Sequence, residues 1–419
     1  MEPKAFLRGL FDRAVMVADP MRSIAAYLPS RPAGRVLVIG AGKASARMAE
    51  AVESVWGPCE GLVITRYGYA RPSQGIEIVE AAHPVPDAAG AKATERMLDL
   101  VAGLGEGDFV LALISGGASA LLVSPVAGVT LAEEQAVNAA LLSCGAPIDR
   151  MNTVRKHLSR VKGGQLAAAA YPARMLTLMI SDVPGDDPAF IGSGPTVGDS
   201  STPSEARAVL QRWSVTVPRA VETALSGKSG VVAPGDVRLS RVQNRVIAAP
   251  AQSLAAAAEM ARASGCRVEI LGDAIEGEAR DVAVVQAARA QALQSGLRAG
   301  DAPVLLLSGG ELTVTRRGSG VGGPNAEFCL ALALALQGAS GIHAIACDTD
   351  GVDGAAEVAG AVVAPNTLDR AARLGLGAQE ALARNDAHMF FAALGDQVVT
   401  GPTLTNVNDF RALMIFPPA

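Results

Sequence analysis

Residues 36–45 of the chain read VLVIGAGKAS, an apolar run that passes directly into a glycine-rich turn. Such a run is typical of a buried strand, and the alanine-rich stretch after it is typical of a helix. Backbone N–H groups at a helix start, together with the helix dipole, can bind phosphate or carboxylate. We therefore predict an anion site at Gly40 and Gly42, where Lys43 adds a mobile positive charge.

Two familiar glycine motifs do not fit this turn. The Walker A pattern needs a glycine at the position of Leu37. The dinucleotide fingerprint GxGxxG needs a third glycine where Ser45 stands, and the next apolar run ends in Thr65 and Arg66 rather than in an acid for a ribose. The alternative to an anion site is a tight turn without a ligand.

The same order of apolar run, turn and alanine-rich stretch recurs along the chain, which predicts an α/β fold with a largely parallel sheet. A chain of 419 residues is too long for one ordinary core, so we predict two domains with a cleft between them. Residues 226–241 lose periodicity and collect Gly, Pro and Ser. We place the boundary there, with an N-terminal domain of residues 1–235 and a C-terminal domain of residues 236–419 that restarts with NRVIAAP.

The composition argues against several classes of protein. A formal net charge of -5 gives no basic surface, so we expect no nucleic-acid partner. The five cysteines are odd in number and lack CxxC spacing, which favours a reducing cytoplasm over disulfides or zinc. No stretch keeps about 18 apolar residues free of charge, so we expect no membrane span.

A second glycine turn follows another apolar run in LALISGGASALL, residues 111–122. Its small residues let a ligand approach the backbone closely, and two hydroxyl groups add donors. The alternative is ordinary turn chemistry. The predicted phosphate-binding residues of this turn are Ser115, Gly116, Gly117 and Ser119.

A basic segment, MNTVRKHLSRVKGGQLA, occupies residues 151–167. On a continuous helix, Arg155, Ser159 and Lys162 would share one face. Such a face could clamp phosphate or carboxylate, because arginine offers a bidentate fork and lysine a point charge. Solvated surface charge is the alternative.

Carboxylates follow two further apolar runs, in SDVPGDD at residues 181–187 and in DTDGVD at residues 348–353. Carboxylates at strand ends suit Mg²⁺, which bridges protein oxygens to nucleotide phosphates. Turns and helix caps are the alternative for any single aspartate. Near the C-terminus, the polar loop TGPTLTNVNDF could orient a polyhydroxy acid, or could be a hydrogen-bonded turn.

Nine motifs occur in order along the chain: GAGKAS, AAHPVPDAAG, LISGGASALL, NTVRKHLSRVKGGQLA, SDVPGDDPAFIGSGPT, LLSGGELTV, GGPNAEFCLALAL, DTDGVDG and TGPTLTNVND. Together they resemble the glycerate 2-kinases whose C-terminal half is the MOFRL domain, over nearly the whole chain. The resemblance implies a Rossmann-like N-terminal domain with a parallel sheet, an α/β MOFRL domain with a mixed sheet, and an active site in the interdomain cleft. Some relatives carry the name hydroxypyruvate reductase.

The activity that the resemblance implies is ATP-dependent phosphorylation of the 2-hydroxyl of D-glycerate, with Mg²⁺. An NAD(P)H-dependent hydroxypyruvate reductase and a non-catalytic regulator that binds sugar acids or nucleotides are the alternatives. The expected partners are glycerate and ATP, and we allow for a homodimer.

The resemblance implies a role for one residue, and the chemistry of phosphoryl transfer predicts roles for the others. Lys43 matches the lysine of the family's GAGK loop, which is thought to be catalytic. The catalytic candidates are Lys43, Asp182 and Arg155, and Lys162 is a further candidate for binding phosphate, in addition to the two glycine turns. The candidates for binding glycerate are Thr403, Asn406 and Asp409. The candidates for binding Mg²⁺ are Asp187, Asp348 and Asp350.

One position departs from the family pattern. Many relatives read GGRNQE where this chain has Pro324 in place of the arginine. That arginine is a candidate for stabilising the transferring phosphoryl group. We expect that Arg155, Arg317 or another cation substitutes for it, or that this branch uses the position differently.

Overall fold

The computed structural model describes residues 2–354 and 356–418. Its strands are β1 (Val36–Ala41), β2 (Glu60–Arg66), β3 (Ile76–Ala81), β4 (Phe109–Ile114), β5 (Arg174–Ile180), β6 (Val242–Ala248), β7 (Arg267–Gly272), β8 (Gly277–Glu278), β9 (Val304–Gly310), β10 (Leu312–Thr313), β11 (Ile342–Asp348), β12 (Gly360–Val363), β13 (Gln397–Val398) and β14 (Asp409–Ile415). Its α-helices are α1 (Pro3–Val17), α2 (Pro20–Ser23), α3 (Ser45–Trp56), α4 (Ala88–Ala102), α5 (Ala118–Leu121), α6 (Leu131–Ser143), α7 (Ile148–His157), α8 (Gln165–Ala169), α9 (Pro203–Arg212), α10 (Arg219–Ser226), α11 (Pro250–Ala263), α12 (Ala279–Ser295), α13 (Pro324–Leu336), α14 (Thr367–Arg373), α15 (Ala378–Ala383) and α16 (Ala387–Leu394).

One compact unit, Pro20–Ile247, contains a six-stranded sheet in the order β3-β2-β1-β4-β5-β6. Strands β1 to β5 pair in parallel. This order is doubly wound, because the sheet grows in opposite directions on either side of the boundary between β1 and β4. Ligands of such folds bind at the carboxyl ends of the strands beside that boundary. The predicted α/β fold with a parallel N-terminal sheet is confirmed.

The two central strands, β1 and β4, determine where the carboxyl edge of the sheet lies, the edge formed by the C-terminal ends of its parallel strands. Both are apolar and buried along their whole length, as parallel strands covered on both faces should be. Their ends are in register, because Ala41 pairs with Ile114 and Ile114 pairs with Met179 of β5. The loops that follow β1, β4 and β5 therefore begin side by side.

The compact units divide the chain later than the predicted boundary after residue 235. Strand β6 is the sixth strand of the first sheet. The segment NRVIAAP, residues 244–250, therefore contributes to this sheet and does not begin the second domain. The second unit comprises the residues up to Asp19 and those from Ala248 onward.

Helix α1 belongs to the second unit because its apolar side packs there. Leu7, Leu10 and Phe11 are fully buried, and the ring of Phe11 lies 6.0 Å from that of Phe410. The sheet of this unit has the order β13-β12-β11-β14-β9-β7. Strand β14 is antiparallel to β11 and β9, whereas β7 and β9 are parallel. The predicted mixed sheet is confirmed.

No helix within residues 2–354 and 356–418 has both the length and the apolar character that a membrane crossing requires.

A buried carboxylate holds the entry to β3. Glu53, near the end of α3, accepts N–H groups from Cys59 at 3.1 Å, Gln74 at 2.5 Å, Gly75 at 2.7 Å and Ile76 at 3.1 Å. Burial raises the pKa of Glu53, but the four backbone hydrogen bonds together lower it by more than burial raises it. The pKa therefore lies below its ordinary value. The charged form is therefore part of the folded state.

Replacing Glu53 by glutamine is expected to destabilise the protein by about 2–3 kcal/mol near neutral pH, because an amide cannot accept all four N–H groups. A carboxylate with a lowered pKa stabilises the fold above its unfolded-state pKa, and this contribution disappears as the pH falls through the folded-state pKa. Urea unfolding should therefore show a difference between wild type and Glu53→Gln that shrinks in acid. An equal difference at all pH values would contradict this role.

Candidate functional site

Three predicted site loops lie at one edge of the first sheet. They follow β1, β4 and β5 and carry Lys43, Gly116 and Asp182. Neighbouring strands are about 4.8 Å apart, so the beginnings of the three loops span roughly 10 Å. The GAGK and SDVPGDD segments therefore occupy the same edge.

Hydrogen bonds join the first two loops. The N–H of Lys43 donates to the carbonyl of Gly116 at 2.8 Å, and the N–H of Ala44 donates to Ser115 Oγ at 3.0 Å. Gly42 has φ 137°, and a Cβ there would lie 2.1 Å from Ser115 Oγ. Only glycine fits this position, so the loops form one rigid unit.

The backbone of the first loop does not offer the predicted anion site. Gly40 lies inside β1, and the N–H of Gly42 donates to the carbonyl of Ile64 at 3.1 Å. Lys43 and Ala44 also donate within the protein, as described above. In contrast, the N–H groups of Gly116 and Gly117 have no acceptor in the described chain. The second loop therefore supplies the backbone donors, and the first loop supplies the side chain of Lys43.

Gly117 is the point where two side chains meet. Its φ is 80°, and a Cβ at this position would lie 3.0 Å from ring atoms of His83 and 3.3 Å from Lys43 Cγ. His83 was not among the predicted site residues, although it lies in one of the nine motifs. Its position depends on the fold of a distant loop, which local sequence patterns do not reveal.

A cavity of about 550 Å³ opens beside this point. It is lined by residues 83–86, by Gly117 and Ser119, by one face of α6, and by Arg155. The structure therefore brings Ser119 and Arg155, both predicted from the sequence, to one cavity.

Neutral groups hold the guanidinium of Arg155. Its Nε donates to Asn138 Oδ1 at 2.9 Å, and Nη1 donates to Asn152 Oδ1 at 3.4 Å. Asn152 Oδ1 also accepts from Ser193 Oγ at 3.1 Å, and Ser193 is 2.8 Å from Ser119 Oγ. No carboxylate of the described residues lies within 4 Å of the guanidinium, so its hydrogen-bond partners beside the cavity are neutral amides, while the more distant Glu134 interacts with it electrostatically.

The predicted helical face that joins Arg155, Ser159 and Lys162 is wrong. Helix α7 ends at His157, where Ser159 Oγ accepts the N–H groups of Val161 and Lys162 at 3.2 and 3.3 Å and forms a turn. Lys162 is fully buried and donates from Nζ to the Leu122 carbonyl at 2.9 Å, so it does not line the cavity.

Two buried charges lie beneath Arg155. Burial lowers the pKa of Lys162 to about 8, against the opposing effect of Glu134. Burial raises the pKa of Glu134, which Lys162 and Arg155 oppose. These groups set the electrostatic environment of Arg155 without reaching the cavity.

The acids of the third loop differ in accessibility. Asp187 is exposed and accepts the N–H of Ala189 at 2.9 Å. Asp186 was not predicted as a site residue, but its Oδ1 is buried without a partner in the described chain, and its φ is 54°. The orphaned carboxylate oxygen of Asp186, four residues after Asp182 in the same loop, fits a cation better than the oxygens of Asp187 do.

The acids of DTDGVD, in the second unit, support the local turn. Asp348 accepts the N–H of Asp350 at 2.8 Å, and Asp350 accepts that of Val352 at 2.8 Å. Within the described residues, no three His, Cys, Asp or Glu side chains gather as a metal site. A metal role for Asp348 and Asp350 therefore stays a prediction.

The predicted glycerate-binding loop lies at the same sheet edge as these acids, because Asp348 pairs with Asp409. Thr403 Oγ1 donates to the Thr349 carbonyl at 2.5 Å, and Asn406 Oδ1 accepts the N–H of Asn408 at 3.2 Å. These are structural hydrogen bonds, so a substrate role for this loop stays a prediction.

Asp409 is engaged inside the second unit. Its carboxylate accepts from Asn325 Nδ2 at 2.7 Å and from Arg411 Nη1 at 3.0 Å. Burial raises the pKa of Asp409 to about 6, although Arg411 lowers it. Asp409 thus has little capacity left for a ligand.

Pro324, at the position where relatives have arginine, is the first residue of α13. Proline suits this position, because the first helical N–H has no partner within the helix. The side chain of Arg317, one predicted substitute, is exposed on the loop before this helix. Arg155, the other, lines the cavity of the first unit.

Two family models match the chain. Residues 6–226 match a domain of unknown function, DUF4147, and residues 304–409 match the MOFRL family. A protein of Agrobacterium vitis with the provisional name hydroxypyruvate reductase is 52% identical, with 98% of this chain and 94% of the relative covered. The D-glycerate 2-kinase of Thermotoga maritima is 38% identical, with 95% of this chain and 94% of the relative covered.

The structure has a close counterpart among solved structures. The crystal structure of a glycerate kinase from Thermotoga maritima matches with a TM-score of 0.87 and 36% identity. The match covers 99% of each chain.

Proposed function

The chain belongs to the glycerate kinase family that contains DUF4147 and MOFRL domains, and on this premise we propose that it transfers the γ-phosphoryl group of ATP to the 2-hydroxyl of D-glycerate. The observation that carries the proposal is the pairing of a rigid lysine loop with unpaired glycine N–H groups at the carboxyl edge of a doubly wound sheet. This arrangement gathers positive charge and donors at one place.

Phosphoryl transfer depends on positioning and on neutralising charge that spreads over the phosphoryl oxygens. In our proposal, Lys43 neutralises that charge, and the N–H groups of Gly116 and Gly117 donate to phosphate oxygens. The guanidinium of Arg155 adds a second cation beside the same loop. This division of labour follows from the backbone hydrogen bonds, which engage the N–H groups of Lys43 and Ala44 but not those of Gly116 and Gly117.

The acids of the third loop supply the remaining chemistry. Asp182 accepts the proton of the glycerate hydroxyl, because its loop begins beside those of Lys43 and Gly116. Asp186, with its orphaned buried oxygen, and Asp187 are the residues that would hold Mg²⁺. The ion would screen the charge between nucleotide phosphates and carboxylates.

The rival reductase activity has a specific obstacle. A dinucleotide pyrophosphate binds to free N–H groups of the first βα turn. Here Gly42, Lys43 and Ala44 donate to Ile64, Gly116 and Ser115. The turn therefore has no N–H groups for a pyrophosphate, which favours the kinase.

The test is a pair of assays on the purified full-length chain. The first assay measures ADP release in the presence of D-glycerate, ATP and Mg²⁺. The second follows the absorbance of NADH in the presence of hydroxypyruvate. We expect glycerate-dependent ADP release and no loss of NADH. NADH loss without ADP would support the reductase, and no reaction in either assay would support a binding regulator.

We also propose the cytoplasm as the compartment. All five cysteines are free, and four of them are buried. Free thiols persist in a reducing environment. A homodimer stays a prediction, which sedimentation would test.

A further inference from the structure

The cavity beside the second glycine loop is larger than glycerate requires. Its volume of about 550 Å³ falls within the range of about 300–1,000 Å³ that is usual for sites of larger ligands. A three-carbon acid would leave most of it empty. The cavity therefore has room for a bigger molecule or part of one.

Apolar side chains make up most of its lining. Leu142 and Val85 line the cavity, although they are 64% and 59% exposed. Ala132, Ala136 and Ala139 line it from the same face of α6 and are also exposed. Exposed apolar groups that converge on one cavity indicate a ligand with a flat apolar surface.

Arg155 gives the same cavity a positive charge whose direct hydrogen-bond partners are neutral. Its guanidinium is held by the amide oxygens of Asn138 and Asn152, and no described carboxylate forms an ion pair with it. An arginine fixed in this way is suited to phosphate. A ligand that satisfies both features has an apolar ring system and a phosphate.

Two amides supply hydrogen bonds at the edge of the apolar lining. Gln135 Nε2 donates to the Pro86 carbonyl at 2.6 Å, which ties α6 to the loop of residues 83–86 and leaves Gln135 Oε1 as an acceptor. Asn138 uses Oδ1 for Arg155, so its Nδ2 remains a donor. A donor and an acceptor together match the edge of a nucleobase.

We propose that this cavity binds the adenine nucleoside of the phosphate donor, with the phosphates directed past Arg155 and over Gly117 towards Lys43. The path is continuous, because Gly117 both lines the cavity and lies against the Lys43 side chain. The inference rests on the proposed kinase function and adds to it the part of the chain that selects the nucleotide.

The test compares Ala136→Trp, which fills the cavity from α6, with Ala288→Trp, a matched change at an exposed position of α12 that does not line the cavity. ADP binding is measured by calorimetry on the full chain. We expect affinity to fall by about tenfold or more in Ala136→Trp, because the new side chain occupies the ligand volume. Ala288→Trp should bind as wild type does.

Kinetics separate this inference from the proposed function. We expect Ala136→Trp to raise KM for ATP more than KM for glycerate. If wild type releases ADP with glycerate but Ala136→Trp binds ADP normally, the inference fails and the kinase function stands. If wild type releases no ADP, the proposed function itself fails.

A photolabel keeps the test valid if Ala136→Trp does not fold. Wild-type protein is irradiated with an azidoadenosine diphosphate and digested, and the labelled peptides are sequenced. We expect label within residues 83–86 or α6, competed by ADP. Competed label confined to other segments would overturn the proposal.

Discussion

The Lys43→Ala protein is expected to fold normally and to phosphorylate glycerate about 10²–10³-fold more slowly than wild type, the usual cost of removing one electrostatic group from a transition state. The loop should survive, because its hydrogen bonds use the backbone of Lys43 and Ala44 and the hydroxyl of Ser115. The loss should therefore appear in kcat, measured by ADP release at saturating glycerate and ATP.

Lys228→Ala provides the matched control, because Lys228 is an exposed lysine of the same unit outside the site loops. It should keep wild-type kcat, and both variants should unfold at the wild-type urea concentration. If Lys43→Ala were folded and its kcat stayed within a few-fold of wild type, Lys43 would have no catalytic role.

Arg411→Ala is expected to lower the free energy of unfolding by about 3–5 kcal/mol, because it leaves the buried Asp409 carboxylate without its cation. Both side chains are almost inaccessible to solvent, at 0% and 5% exposure. Arg411 also contacts Ser308 Oγ at 3.3 Å and the Gly309 carbonyl. Urea unfolding near neutral pH measures the loss.

The pH dependence of this loss distinguishes charge from packing. Without Arg411, the folded-state pKa of Asp409 should rise above the wild-type value of about 6. A raised carboxyl pKa stabilises the fold only while the group is protonated, so stability decreases as the pH rises through the folded-state pKa. The deficit of Arg411→Ala should therefore be larger in mildly alkaline than in mildly acidic buffer.

Two further variants serve as controls for this prediction. The double change Asp409→Asn with Arg411→Met removes both charges and should recover most of the loss. Arg267→Ala removes an exposed arginine of the same unit and should change stability by less than about 0.5 kcal/mol. A loss in Arg411→Ala that is independent of pH and is not recovered in the double variant would contradict the ion-pair account.

Local sequence signals were sufficient to predict the α/β fold and a largely parallel sheet. Strands β1 and β4 are the apolar runs that precede the two glycine-containing turns, and both are strands in the structure. Helix α6 begins at Leu131, where Thr130 and Glu133 form a reciprocal capping box. These signals lie within a few residues of the elements that they define.

Features that depend on distant partners were missed. The segment of residues 244–250 has no local sign that its strand pairs with β5. The helical face of Arg155 and Lys162 failed because Ser159 turns the chain, and the Arg160 N–H then donates to the Ser124 carbonyl at 2.9 Å. Helical spacing alone does not reveal a competing turn.

The candidate site shows the same difference between features set by local sequence and features set by distant partners. Sequence motifs located both glycine loops, but which N–H groups stay free depends on hydrogen bonds between them. The orphaned oxygen of Asp186 and the position of His83 against Gly117 are likewise tertiary properties. Local patterns therefore predicted the loops, and the fold decides which atoms are available for chemistry.

The central claim is that the lysine and glycine loops serve phosphoryl transfer to the 2-hydroxyl of glycerate. Phosphorus NMR of wild-type protein with ATP, Mg²⁺ and D-glycerate tests it most directly. The account predicts one new phosphomonoester, 2-phosphoglycerate, that appears together with ADP in equal amounts and is absent over the same period with Lys43→Ala. A different phosphorylated product, or ADP release without any phosphomonoester, would contradict it.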